Sequence, residues 1–313
     1  MSRIVATRLS KRFGAKRAVD DLSFHVEPGV VTGFLGPNGA GKSTTMRLML
    51  RLDHGEGQTL FDGKPYDQLS HPMRHVGAVL EAKAFHPTRS ARDHLLMLAS
   101  ANAIPGKRVD EVIEYVGLRE VAKAKPKSFS LGMGQRLGLA VALLGDPHTL
   151  ILDEPANGLD PQGITWLRNF LKSYASQGRA VFVSSHLLAE MALMADNLVV
   201  IGRGKLIATG SVDTFIQQAS GTTVLVRSTE NGRLADVLSQ SGAKITNDDT
   251  GALLATEIDQ ANVGELAFQA GIVLHELTTK VATLEEAFLE ATEGSEEFIA
   301  QLGGTAALEG IDR

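Results

Sequence analysis

Cysteine is missing from all 313 residues, which excludes a disulfide framework, thiolate metal sites and cysteine nucleophiles. Long apolar runs are missing as well. Stretches such as Leu139–Leu144 and Leu198–Ile201 fall far short of the ~20 residues a bilayer-spanning helix needs, so the chain is not expected to cross a membrane itself. Its start spreads Arg3, Arg8, Lys11, Arg12, Lys16 and Arg17 among polar residues, without the continuous apolar stretch of a secretory signal, and export is not expected. No aromatic ladder accompanies these charges, so they read as a solvated strand face and not as a nucleic-acid surface.

What remains is 43% hydrophobic and 21% charged, with 32 Gly and 10 Pro, the make-up of an ordinary globular protein and not of a collagen-like, disordered or coiled-coil one. The length allows one large domain or a large one with a small companion. Charge favours the second: residues 1–221 carry +6 and residues 222–313 carry −11, within a net charge of −5. A boundary near Gly221 is expected, with both parts simply solvated.

Short runs rich in Val, Ile and Leu recur at Val30–Leu35, Val76–Leu80, Leu150–Leu152, Ala180–Val183 and Leu198–Ile201 and read as buried strands. Between several of them apolar residues fall at helical spacing: Lys42–Leu52, Arg92–Ala101, Val109–Val116, Gly132–Leu144 and Gln162–Ser176. Strands alternating with helices predict an α/β domain on a largely parallel sheet. After Gly221 the order becomes strand, helix, strand, strand, helix, strand through Leu277, a βαββαβ pattern that predicts a small ferredoxin-like α+β domain at 222–293. A helix at Leu284–Ala291 follows, its Leu284, Ala287, Phe288 and Ala291 on one stripe, and residues 294–313 read as a loose tail.

The chemistry concentrates in the first part. Gly36-Pro37-Asn38-Gly39-Ala40-Gly41-Lys42-Ser43-Thr44 fits a phosphate loop between a strand and a helix. Its glycines let backbone N–H groups face phosphates, Lys42 reaches the β/γ oxygens, and the Ser43 hydroxyl is a Mg²⁺ ligand. Thr149-Leu150-Ile151-Leu152-Asp153-Glu154 is an apolar strand ending in two acids. Asp153 is suited to hold Mg²⁺ and Glu154 to accept a proton from an attacking water. Upstream, Ser130-Leu131-Gly132-Met133 opens a helix with a hydroxyl and N–H groups, a second anion site.

The order Phe13, Gly36–Thr44, Glu81, Ser130–Met133, Asp153–Glu154, Asp160 and Ser184-Ser185-His186 resembles the nucleotide-binding subunits of ABC transporters over residues 3–220. The resemblance implies an ATPase that binds ATP and Mg²⁺, with Phe13 stacking on adenine and His186 contacting the γ-phosphate. It further implies that the Ser130–Met133 turn and Asp160 face a second subunit across ATP, so that two copies, or this chain and a similar one, form a dimer. Asp160 before Pro161 also suits a helix N-cap, and Phe13 could equally be one core aromatic among 12 Phe. A separate membrane permease is the implied partner, with the subunit at the cytoplasmic face and no nucleic acid bound. The alternative is a permease-free ABC ATPase acting on ribosomes or nucleic acid. Ribosome-acting members carry two phosphate loops and this chain has one, and the short interval from Lys42 to Asp153 leaves no room for an inserted coiled coil.

Two positions depart from the family pattern. Glu81 stands where Gln is usual, which removes a donor and leaves a Mg²⁺ or water contact, and Leu131 replaces the first glycine of the signature turn. Both variants, with the closing Thr283-Leu284-Glu285-Glu286-Ala287-Phe288-Leu289, resemble the exporter branch of daunorubicin- and bacitracin-resistance transporters.

Overall fold

The computed structural model describes residues 3–81, 85, 86, 88–219, 223–280 and 282–293; Pro87, the expected boundary at Gly221 and the expected tail from Gly294 lie outside them. Strands β1 (Ile4–Phe13) and β2 (Lys16–Val26) precede β3 (Val31–Leu35), which runs into the phosphate loop and helix α1 (Lys42–Met49). β4 (Glu56–Phe61), β5 (Lys64–Pro65), α2 (Pro72–His75) and β6 (Val76–Val79) follow, then α3 (Ala91–Ala101), α4 (Gly106–Tyr115) and α5 (Leu131–Leu143). Next come β7 (Thr149–Leu152), α6 (Pro161–Ala175), β8 (Ala180–Ser184), α7 (Leu188–Met194), β9 (Asn197–Gly202), β10 (Lys205–Ser211) and α8 (Val212–Ala219). The last elements are β11 (Thr223–Ser228), α9 (Asn231–Gln240), β12 (Lys244–Asn247), β13 (Leu253–Thr256), α10 (Gln260–Gln269), β14 (Leu274–Lys280) and α11 (Leu284–Thr292).

The central sheet has the order β10-β9-β3-β8-β7-β6. Its neighbours from β9 to β6 are parallel and only the β10 edge is antiparallel. This fits the uninterrupted apolar runs of the sequence: β3, β7 and β8 are buried at every residue, as strands covered on both faces must be. Caps fix where the helices begin. Ser90 caps α3, Ser130 caps α5 and Asp160 caps α6 ahead of Pro161, each oxygen accepting an otherwise unpaired N–H.

A second sheet, β2-β1-β4-β5, packs on one face of the first. The basic start does lie on its strands, but the partners β4 and β5 have no counterpart in the sequence reading, because residues 56–58 are exposed and only Thr59 and Phe61 of β4 are buried. Phe24 of β2, Phe34 of β3 and Phe182 of β8 join the two sheets, with centroids 4.8–5.9 Å apart. Burial of each ring contributes roughly 2–3 kcal/mol. Helix α1 ends at Met49 and not at Leu52, where Arg51 turns the chain with φ 57°.

A third sheet, β12-β13-β11-β14, is antiparallel throughout. Helices α9 and α10 close its own core, with Leu234, Leu238, Val263 and Ala267 buried against Val224 and Val226. Helix α11 behaves differently. Thr283 and Glu286 form a reciprocal cap at its start, and Leu284 and Ala287 enter the core built by α3–α7 and the central sheet. Its neighbours are α7 and α8. Leu284→Ala is therefore expected to cost about 2–4 kcal/mol, whereas Leu289→Ala, at a residue 55% exposed, should cost under ~0.5 kcal/mol. Urea unfolding followed through Trp166, the sole tryptophan, separates the two; equal effects would mean that α11 is not docked.

Candidate nucleotide site

The site forms at the carboxyl ends of the central strands. Parallel pairing sets Phe34 opposite Ser184 and Leu152 opposite Val183, so the loop after β3, the acids after β7 and the turn after β8 emerge level. The phosphate loop can follow its path only because two glycines meet other backbone closely. A Cβ on Gly36 would lie 2.6 Å from Ile201 O, and one on Gly41 (φ 103°) 2.3 Å from Ala18 O. Neither position tolerates a side chain.

A cavity of about 410 Å³ results, lined by Phe13, Lys16, Ala18, residues 37–44, Asp153 and Glu154. Lys42 Nζ donates to Gly36 O at 2.6 Å. Burial holds its pKa below the ordinary lysine value, against the opposing pull of Glu154 and Asp153. Phe13 is not a core aromatic: its ring is 53% exposed and stands at the cavity wall, with Lys11 Nζ 4.9 Å from its centroid. Flat apolar surface is thus offered beside a phosphate cradle.

The acids sit on a strained turn. Glu154 has φ 49°, a conformation that costs a non-glycine residue on the order of 1 kcal/mol, yet it is held on every side. Its N–H donates to Ser184 Oγ (2.9 Å) and Gln135 Nε2 donates to its carbonyl (3.2 Å). Its carboxylate Oε2 accepts from the His186 N–H (3.2 Å) and lies 2.7 Å from His186 Nδ1, a hydrogen bond when that nitrogen carries the proton. Asp153 Oδ1 accepts from the Ser184 hydroxyl at 2.5 Å. Asp153, Glu154, Ser184 and His186 are therefore one hydrogen-bonded cluster.

Other expected residues lie elsewhere. Ser130 caps α5, accepting from Met133 N–H at 3.2 Å, and with Leu131, Gly132 and Met133 does not line the cavity. Asp160 caps α6, accepting from Gly163 N–H at 2.8 Å. The two turns touch: a Cβ on Gly132 would sit 2.6 Å from Gly158 O, and Leu131 covers Gly158. A side chain at 132 would therefore strike the backbone of Gly158, whereas position 131 accommodates leucine.

Glu81 departs from expectation. As a metal contact it would have to face the phosphates, but its side chain is 72% exposed and paired with Arg47 at 4.0 Å. It borders a different, largely apolar groove of about 350 Å³ with Leu50, Leu52, Tyr66 and Phe85. Lys16, Gln135 and Ser184 also belong to the site, by lining the cavity or by bonding to Glu154. Ser184 lies beside His186 and Gln135 two residues past the Ser130–Met133 turn, and nothing local marks either.

A glycine-rich loop of the phosphate-binding pattern after β3, facing two acids that end β7 on the far side of β8, defines a nucleoside-triphosphate-binding protein of the P-loop class. Residues 19–157 match the family ABC transporter, and residues 222–285 match a domain of unknown function (DUF8746). The chain is 38% identical over 294 residues to the uncharacterized ABC transporter ATP-binding protein YhcH of Bacillus subtilis (strain 168), covering 92% of this chain and 95% of that one. It is 42% identical over 212 residues to the bacitracin transport ATP-binding protein BcrA of Bacillus licheniformis, covering 66% and 69%. The solved structure of an ATP binding subunit of an ABC transporter superposes with TM-score 0.63 at 26% identity, covering 69% of this chain and 92% of that one. The chain belongs to the ATP-binding proteins of ABC transporters, and is an ATPase of that family.

Replacing Lys42 tests the cavity directly. Lys42→Met should weaken ATP binding at least ~10-fold, by loss of the phosphate cation, while the melting temperature without nucleotide stays level or rises because a desolvated charge is gone. Fluorescent-nucleotide titration and thermal unfolding read the two effects; unchanged affinity would remove Lys42 from the site.

Proposed function

We propose that this chain powers a separate membrane permease by hydrolysing ATP between two subunits, with Glu154 as general base. The observation that carries the reading is the Glu154–His186 pair beside Asp153 at the wall of the phosphate cavity. Phe13 stacks on adenine, the N–H groups of residues 36–44 and Lys42 bind the phosphates, and His186 orients the water whose proton passes to Glu154. The donor set suits Mg²⁺. Ser43 offers a hydroxyl and Asp153 a carboxylate at one cavity, and no group of three or more His, Asp or Glu suited to a metal occurs among the described residues. An ion of that kind takes its remaining ligands from phosphates and water, and when bound it neutralises charge on the transferred phosphoryl group. Glu81 is not part of this set.

The exposed Ser130–Met133 turn and Asp160 lie away from the chain's own cavity, which supports their use on the ATP of a second subunit, identical or similar. The permease is assigned to the apolar groove beside Glu81, where Phe85 packs and Leu52 is 55% exposed. Among the described residues no helix is long and apolar enough to cross a membrane; the reading places the subunit peripherally, at the cytoplasmic face. The transport named for the bacitracin relative supports export of a drug, antibiotic or similar hydrophobic compound as the class of work done. Residues 1–221 form the ATPase domain in this reading. Residues 222–293 form a small acidic domain for regulation or dimerisation, and its sheet order supports a ferredoxin-like arrangement, with α11 returning to the first core.

Turnover tests the base. Glu154→Gln is expected to lower ATP hydrolysis by ~10²–10⁴-fold with ATP binding kept, and near-normal turnover would refute the assignment. The same variant, unable to clear ATP, should pass from monomer to dimer when ATP is added, as read by light scattering. Adding Ser130→Arg, which sets bulk and a cation at the seam, should keep it monomeric. Dimerisation indifferent to nucleotide would count against the shared site.

A further inference from the structure

Ser184 ends β8 with no exposed surface, and its hydroxyl hydrogen-bonds to both acids. The direction of each bond follows from chemistry. An ionised carboxylate only accepts, so the hydroxyl proton points to Asp153 Oδ1 (2.5 Å), and a lone pair is left for the N–H of Glu154 (2.9 Å). Both functions of a buried hydroxyl are thereby used, and they join the side chain of one acid to the backbone of the other. The Glu154 backbone needs such an anchor, because its left-handed φ persists only where surroundings over-determine it. The neighbouring bond from Gln135 holds the carbonyl side of the same residue.

We propose that Ser184 is a positioning residue for ATP hydrolysis, its hydroxyl fixing Asp153 and Glu154 relative to each other. Removing it leaves a buried N–H and a buried carboxylate oxygen without this partner, frees the Glu154 turn to relax, and displaces the base without touching the nucleotide. The proposal rests on Glu154 being the base.

Valine and threonine have the same shape and differ in the hydroxyl, so Ser184→Val and Ser184→Thr impose the same steric burden. In the full chain, Ser184→Val is expected to lower turnover at saturating ATP by ~10–100-fold, the usual effect of losing an orienting partner. Affinity for ATP should stay within about threefold of the unmodified protein, as for a change that spares binding. Ser184→Thr should turn over at least ~10-fold faster than Ser184→Val. Equal turnover of the two would assign the effect to shape and overturn the proposal, as would a Ser184→Ala variant as fast as the unmodified chain. If Ser184→Val fails to bind ATP or to show a thermal transition, Ser184→Ala, which leaves space in place of bulk, takes over the comparison with Ser184→Thr. Glu154→Gln measured alongside separates the two readings. Near-normal turnover there removes the base assignment, whereas an inactive Glu154→Gln beside a fully active Ser184→Ala overturns only the role of Ser184.

Discussion

The parallel ladder of β3, β8 and β7 is the constraint on which the site depends. Hydrogen bonds fix Phe34 level with Ser184 and Leu152 level with Val183, so three segments distant in sequence leave the sheet at one height. A slip of one residue in a parallel ladder turns every side chain to the opposite face. Here it would move Asp153 and Glu154 out of level with the loop after β3 and the turn after β8. The buried runs on both faces of these strands hold that register, and the chemistry at their ends inherits it.

Around this edge, close backbone approaches do much of the positioning. Gly41 lies against Ala18 O and Gly36 against Ile201 O, so the phosphate loop is wedged between β2 and β9, while Gly132 meets Gly158 O and ties the start of α5 to the segment before α6. Gln135, one turn along α5, then reaches the carbonyl of Glu154. The signature turn and the acids are thus linked through one short helix segment.

The C-terminal region divides its loyalties. Its antiparallel sheet and two helices enclose a separate core, whereas α11 delivers Leu284 and Ala287 to the ATPase core. A small domain anchored at its far end in this way is tethered at both sides, by α8 before it and by α11 after it.

Several parts of this architecture were legible in the sequence because they are local. The phosphate loop is nine consecutive residues, the acids end a strand marked by three apolar neighbours, and several helices announce themselves through their period, α6 with a cap at Asp160. The βαββαβ order was likewise readable from alternating periods. Other features were settled only by the tertiary structure. Ser184 meets Glu154 from 30 residues away and Gln135 from 19, and β4 joins a sheet its own pattern hardly indicates. Glu81 turns to Arg47 of α1, and α11 chooses the larger core over the nearer one. The physical reason is the same in each case: these contacts follow from strand order and from which surfaces are left uncovered once the sheets have packed, and no local periodicity carries that information.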